Sequence, residues 1–253
     1  MKVFAYIGSN QGKKSFTKKL CMDFINLLQQ NIKEEFEYKI YTGTDAEIKE
    51  CRGCINCFAN SFCPLEELDD MKIIKNEMIT SDVIIFASPS YAHNISGNMK
   101  TYIDRITSWL HLMKLSGRFG IVMSTCSSSG EEDVCNYLYK MQSYLGIDTI
   151  GCVYRYEREY TLEEKLKEEK TLNYLVNKLI ERYDKVKRGK IELSNFQNEY
   201  YQILVKKYKD AKKNSIESSE MKEWYKTYND KCENFNQFFK YSFLERKRGN
   251  NKC

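Results

Sequence analysis

The chain is predicted to be an α/β protein: a doubly wound, five-stranded parallel sheet between two helical layers, followed by a helical C-terminal extension. Two observations predict it. Short apolar runs alternate with amphipathic stretches through about residue 155, the pattern of a parallel sheet covered by helices on both faces. Beyond that point the apolar runs stop and long charged, aromatic-striped segments take over. The predicted division is therefore residues 1–155 and residues 156–253.

The elements follow in order. Residues 3–8 (V-F-A-Y-I-G) read as a buried strand. Residues 15–30 form a helix with Phe16, Leu20, Phe24, Leu27 and Leu28 on one side. Residues 38–41 are a second strand, 65–78 a helix and 82–87 (D-V-I-I-F-A) a third strand. A long helix is expected over 96–113, a strand over 119–124, a helix over 131–145 and a fifth strand over 149–154. The extension reads as helices over 163–187, 195–213 and 217–246. Phe196, Tyr200, Leu204 and Tyr208 stripe one of them, and Trp224, Tyr228, Cys232, Phe235 and Phe239 another. These stripes suit packing against the sheet domain or a second subunit; a lid shaping an acceptor site is the alternative.

Composition narrows the function. No stretch approaches the twenty apolar residues of a membrane span, and the N-terminus lacks the regions of a signal peptide. Ten cysteines in such a chain suit a reducing cytoplasm, where thiols bind metal or stay free. Residues 155–253 carry 24 Lys+Arg against 17 Asp+Glu, while the rest carry 16 and 18. Acids are interspersed throughout the basic part, so a solvated helical surface is expected and not a nucleic-acid site.

In doubly wound folds, ligands lie beyond the carboxyl ends of the strands. Three loops there are polar and small. The first, G-S-N-Q-G-K-K-S-F-T, runs into a helix, whose free N–H groups and dipole favour an anion. Its glycine spacing is one residue short of a P-loop and is not G-x-G-x-x-G, so a plain capped helix start stays open. The second, S-P-S-Y-A-H-N-I-S-G, offers a rigid proline and an aromatic face. The third, T-C-S-S-S-G, is a hydrogen-bonding platform. Together they suit a phosphate, a flat heterocycle and its edge. His93 is a weak catalytic candidate beside such a ring; a loop histidine with a satisfied hydrogen bond is the plainer reading. Cys126 reads as a small buried residue or a reactive thiol, and Cys21, Cys135 and Cys152 read as core.

Cys51, Cys54, Cys57 and Cys63 form C-x2-C-x2-C-x5-C. Two-residue gaps let a turning backbone aim successive sulfurs at one iron–sulfur cluster. Zinc fits less well, because four-cysteine zinc sites use two separated pairs. Free thiols on a Cys-rich loop remain the third reading.

G-S-N-Q-G-K-K-S-F-T-K-K-L, S-P-S-Y-A-H-N-I-S-G-N-M-K-T-Y-I-D-R and C-R-G-C-I-N-C-F-x4-C-P-x5-D-D-M resemble the flavodoxin-like NADPH-dependent FMN reductases, the cysteine run pointing to the iron–sulfur flavoprotein branch. The likeness covers residues 1 to about 155. It implies an FMN-dependent oxidoreductase drawing on NAD(P)H or a ferredoxin-type donor. The acceptor would be an unidentified small molecule or peptide, and the assembly a homodimer or homotetramer. Residues implied at the flavin are Ser9, Asn10, Lys13, Ser15, Phe16 and Thr17; Pro89, Ser90, Tyr91, His93, Asn94, Ser96 and Gly97; and Thr125, Cys126, Ser127 and Gly130. Cys51, Cys54, Cys57 and Cys63 would bind a [4Fe-4S] cluster. A cluster-free NAD(P)H:quinone or FMN reductase and a non-catalytic flavin electron carrier are the alternatives.

Overall fold

In a computed structural model describing residues 1–227 and 232–249, the parallel strands are β1 (Lys2–Ile7), β2 (Glu37–Thr42), β3 (Val83–Tyr91), β5 (Phe119–Cys126) and β6 (Asp148–Tyr156). Their order is β2-β1-β3-β5-β6, with a two-residue strand β4 (Asn94–Ile95) pairing antiparallel to the end of β3. This is the flavodoxin-like winding, with its crevice where β1 and β3 part.

Period-two alternation assigns each strand residue to a face. Val3, Ala5, Ile7, Val83, Ile85, Ala87, Ile121 and Met123 join one buried cluster. Phe4, Tyr6, Ile84, Phe86 and Val122 join the other. The first face is covered by α1 (Phe16–Asn31) and by helices of the C-terminal part: α7 (Leu162–Lys187), α8 (Asn195–Lys213), α9 (Ser219–Lys226) and α10 (Phe235–Lys247). The second face is covered by α3 (Met71–Thr80), α4 (Gly97–Asp104), α5 (Thr107–Leu110) and α6 (Glu131–Tyr144).

Most of the expected stripes pack against the sheet: Leu204, Tyr208, Trp224, Phe235 and Phe239 are buried in the first cluster, joined by Tyr201, a residue outside those stripes. Phe196 is exposed and, with the partly buried Tyr200, meets Tyr144 of α6 instead. Tyr228 lies outside the described residues. Phe239 and Phe243 meet Phe119 edge-on at 5.8 and 6.2 Å. At the foot of the sheet Arg246 ion-pairs with Asp82 and donates to the Gly117 carbonyl at 2.8 Å, while Lys247 reaches Asp82 at 2.8 Å. Gly117 has φ +82°, and a Cβ there would meet the Phe243 backbone nitrogen at 2.4 Å. Only glycine permits that approach. Burial raises the Asp82 pKa, but the adjacent Arg246 and Lys247 outweigh it and bring the carboxyl down to about 2.

The structure corrects several expected boundaries. β3 continues four residues past the predicted end and contains Ser88 to Tyr91, and β5 contains Thr125 and Cys126. Pro89 is tolerated because it falls beyond the last β1 partner, where one side of β3 has no neighbour to bond. The helix expected over 65–78 splits into a 3-10 turn, Pro64–Glu67, and α3. Between them the Asp69 and Asp70 carboxylates accept the Met71, Lys49 and Glu47 N–H groups, offering the backbone an alternative to helix. The helix expected over 96–113 breaks after α4, and that over 217–246 is α9 and α10. Cys152 is exposed on the edge strand β6 and is not core.

Candidate active site

The β1–α1 loop is fixed by its own side chains. Ser15 caps α1, its hydroxyl accepting the Lys18 N–H at 3.1 Å. The Ser9 hydroxyl accepts the Gln11 N–H at 3.3 Å. Ser9, Ser15 and Thr17 are buried, and Thr17 Oγ1 lies 2.7 Å from Thr125 Oγ1 at the end of β5. One buried hydrogen bond therefore ties the first loop to the third. Lys13 and Lys14 are exposed on the short 3-10 turn ahead of Ser15.

The second loop is a β3–β4 hairpin. Ser90 pairs with Ile95 and Tyr91 with Asn94, and the two turn residues, Ala92 and His93, have φ +50° and +58°. Two left-handed residues match the primed two-residue turns of tight hairpins. Ser96 knits this hairpin to β1: it caps α4, its hydroxyl donates to the Gly8 carbonyl at 2.5 Å, and its N–H donates to Ser88 Oγ at 2.9 Å. Gly130, at φ +92°, lets the third loop approach; a Cβ there would meet Ser90 Oγ at 2.3 Å.

These loops enclose a cleft lined by Ser9, Gln11, Phe16, Thr17, Pro89, Ser90, Tyr91, Thr125, Cys126, Ser127 and Glu157. Nine of the expected flavin residues line it. Asn10, Lys13, Ser15, His93, Asn94, Ser96, Gly97 and Gly130 stand behind it or at its rim. Gln11 and Glu157 were not expected. Glu157 follows β6, its N–H donating to the Cys126 carbonyl at 2.7 Å; ending that strand at 154 hid it.

At the rim, His93 Nδ1 lies 3.0 Å from Asp133 Oδ2 and Nε2 lies 3.2 Å from the Ser129 hydroxyl. The imidazole is exposed but held at both nitrogens, so the satisfied-histidine reading describes its surroundings. Cys126 donates to Glu131 Oε2 at 3.4 Å, and Tyr156 donates to Glu131 Oε1 at 2.6 Å. Burial, together with the Glu131 carboxylate, pushes the Cys126 thiol up to about 12. It stays protonated at neutral pH and is a poor nucleophile.

The cysteine loop lies outside this cleft. Gly53, Ile55 and Ser61 adopt φ +64°, +53° and +55° around the single-turn helix α2 (Asn56–Ala59). Cys51 and Cys54 are exposed; Cys57 and Cys63 are half-buried. Burial raises the Cys57 thiol pKa, partly offset by a hydrogen bond with Ser108. Cys63 hydrogen-bonds Arg105. Among the described residues no three His, Cys, Asp or Glu side chains converge to hold a metal ion. The four thiols in this conformation do not form a four-thiolate cradle. What is firm is the floor beneath them: Arg105 ion-pairs with Asp69, both side chains fully buried, and donates to the Lys49 carbonyl at 2.8 Å. The D-D-M and I-D-R segments thus meet to anchor the loop. Phe58 packs on His111 with ring centroids 5.1 Å apart, and His111 bonds Glu220 of α9 at 2.7 Å.

A family model described as NADPH-dependent FMN reductase matches residues 1–158. The chain belongs to this family. Within reach of it, an iron-sulfur flavoprotein of Archaeoglobus fulgidus is 32% identical over 117 residues, covering 46% of this chain and 52% of that protein. An iron-sulfur flavoprotein of Methanocaldococcus jannaschii is 30% identical over 105 residues, covering 42% and 51%. The match spans about half the length of these curated relatives. Among solved structures, a flavone reductase aligns with TM-score 0.55 at 12% identity over 76% of this chain and 66% of that one. An NADH:FMN oxidoreductase in its apo form aligns with TM-score 0.52 at 16% identity over 70% and 87%. Both share the fold. For a reductase family named for FMN, the cleft is chemically apt: the buried Ser90 hydroxyl that lines it lacks a hydrogen-bond partner, and buried polar groups normally have one. The helix N-terminus adds the dipole and free N–H groups that suit a phosphate.

Proposed function

We propose that the chain is a flavin-dependent oxidoreductase that binds FMN in the Ser9–Thr125 cleft and takes electrons from NAD(P)H. The observation carrying this reading is the convergence of three hydroxyl-bearing loops, tied by the Thr17–Thr125 bond, at the carboxyl ends of β1, β3 and β5. Ser9, Ser15 and Thr17 would hold the phosphate with the N-terminus of α1. Pro89, Ser90 and Tyr91 would flank the ring, with Asn94 and Gly97 at the hairpin side, and Thr125 through Gly130 would meet its far edge. Bound flavin supplies hydride acceptance and the release of electrons singly or in pairs. This chain's residues would position the group. In this reading the exposed His93, hydrogen-bonded to Asp133 and Ser129, would be the group that protonates a reduced acceptor at the rim. The test is a fluorescence titration of the apo chain with FMN, followed by anaerobic mixing with NADPH and NADH. Binding at micromolar FMN and rapid bleaching are expected. Binding without bleaching would favour a non-catalytic carrier or a ferredoxin-fed protein, and failure to bind would end the reading.

A second reading adds a [4Fe-4S] cluster at Cys51, Cys54, Cys57 and Cys63. The C-x2-C-x2-C-x5-C spacing supports it, as do relatives named iron-sulfur flavoprotein. Because the thiols do not converge here, no electron step is derived through it. Iron, sulfide and zinc analysis after anaerobic purification decides: about four irons per chain support the cluster, and their absence leaves a flavin or quinone reductase. We further propose a cytoplasmic homodimer or homotetramer, tested by light scattering, acting on a small-molecule or peptide acceptor. No described helix is long and apolar enough to cross a membrane.

A further inference from the structure

A pair of cysteines outside the flavin cleft has surroundings unlike those of the other thiols. Cys152 is exposed on β6, the edge strand, while Cys135 is buried on α6, which packs against that strand. Cys152 pairs in register with Val122, which shares a buried cluster with Cys135, so both cysteines lie on the face of β6 that α6 covers, and their thiols interact. Cys152 is among the residues lining a pocket of about 170 Å³ at the sheet edge, with Tyr154, Tyr156, Tyr160 and the α7 residues Glu164, Lys167 and Glu168. The two acids are engaged, Glu164 with Arg158 and Glu168 with Arg155. Lys167 makes no ion pair among the described residues, so the pocket presents aromatic faces and one available cation beside an accessible sulfur.

We propose that Cys152 and Cys135 are a redox-active dithiol that reacts with small anionic disulfides admitted by this tyrosine pocket. Cys152 Sγ, as thiolate, attacks one sulfur of RS–SR. The Cys152–SR bond forms, the RS–SR bond breaks, and RS⁻ departs. Cys135 gives its proton to the departing RS⁻ and attacks Cys152 Sγ. The Cys135–Cys152 bond forms and the Cys152–SR bond breaks, releasing the second RS⁻, which takes a proton from solvent. Two protein thiols lose two electrons and one external disulfide gains them, yielding two RSH. The order of attack follows access and acidity: the hydrogen bond from Cys135 is the main influence lowering the Cys152 thiol to about 7, against burial and Glu132. The same hydrogen bond, with burial, raises Cys135 far above its ordinary value. Cys152 is thus the nucleophile and Cys135 the resolving thiol.

The probe is 5,5′-dithiobis(2-nitrobenzoate), an aromatic dianionic disulfide, added at one equivalent to the folded full-length chain at pH 7. Remaining thiols are then alkylated, and the chain is cleaved by trypsin and at Glu131 and Glu132, so that Cys126 separates from Cys135. Mass spectrometry is expected to find the Cys135 and Cys152 peptides joined, with the loss of two hydrogens. In Cys135→Ser the nitrobenzoate adduct should stay on Cys152, and in Cys152→Ser labelling of Cys135 should fall by about tenfold or more. Recovery of Cys152 unmodified while other cysteines carry the label would overturn the proposal. So would a stable adduct on wild-type Cys152 with no link to Cys135. The wild-type map decides alone if either variant does not fold, and it needs no bound flavin, so its outcome is separate from that of the cleft.

Discussion

The β1–α1 loop and the cysteine loop are both short, polar segments next to strand ends, yet they are held in different ways. In the first, every hydroxyl is engaged: Ser15 caps a sixteen-residue helix, and Thr17 bonds across to β5. In the second, the contacts within the loop are local, such as Asn56 to the Phe62 carbonyl at 2.6 Å and Asn60 to Asn56 at 2.6 Å. Cys57 and Cys63 hydrogen-bond Ser108 and Arg105, Cys51 and Cys54 are exposed, and the loop's support comes from the buried Asp69–Arg105 pair below. A loop fixed by its own bonds is ready for a ligand before the ligand arrives, which lowers the ordering cost of binding. A loop fixed only from beneath leaves its thiols free to rearrange.

The largest expected effect comes from removing that support. Arg105→Ala leaves the Asp69 carboxylate buried without its cation, holding only the Lys49 and Met71 N–H groups, and should cost about 3–5 kcal/mol in urea unfolding; a loss under about 1 kcal/mol would show that the loop needs no such floor. Gly130→Ala attacks the other loop, where φ is +92° and Ser90 stands in the way. Strain and overpacking together predict about 2–4 kcal/mol, with FMN affinity falling in the same variant. Acid titration probes the foot of the sheet, equidistant in logic from both loops. Asp82 ionises at about 2 when folded against an ordinary 3.8. Its stabilisation is therefore complete above about pH 4 and is lost as pH falls towards 2, an effect of about 2 kcal/mol. Asp82→Asn should flatten that limb of the unfolding-versus-pH curve. The smallest effect is expected for Thr17→Val, which breaks the bond between the first and third loops: about 1 kcal/mol of stability, with FMN Kd raised by roughly tenfold. An unchanged Kd would mean the loops are joined for stability alone.

Much of the fold was readable because parallel strands buried on both faces are continuous apolar runs, and V-F-A-Y-I and D-V-I-I-F-A can be little else. The family segments likewise located the cleft, since Ser9, Thr17, Pro89, Tyr91 and Thr125 do meet there. What escaped was set by distant partners. Ser88 to Tyr91 looks like a loop by composition and is strand only because β5 runs alongside Ser88 and Pro89 and β4 folds back on Ser90 and Tyr91. Cys152 looks like core by its apolar neighbours, but β6 has no strand beyond it. Ser96 and Asn10 carry polar side chains suited to a ligand and spend them on Gly8, Ser88 and Asn98 instead. Local pattern cannot tell a ligand-facing hydroxyl from one that staples two loops.

The docking of α10 at the base of the sheet has a consequence for synthesis. Phe239 and Phe243 cover Phe119, and Arg246 meets Asp82, so the wound sheet finishes one side only with residues made about ninety positions after its last strand. At ribosomal rates of ~5–20 residues per second, that apolar side waits unsheltered for several seconds in the nascent polypeptide. Chaperone capture in that interval, and insolubility of any chain cut short after β6, are the cellular signature this architecture entails.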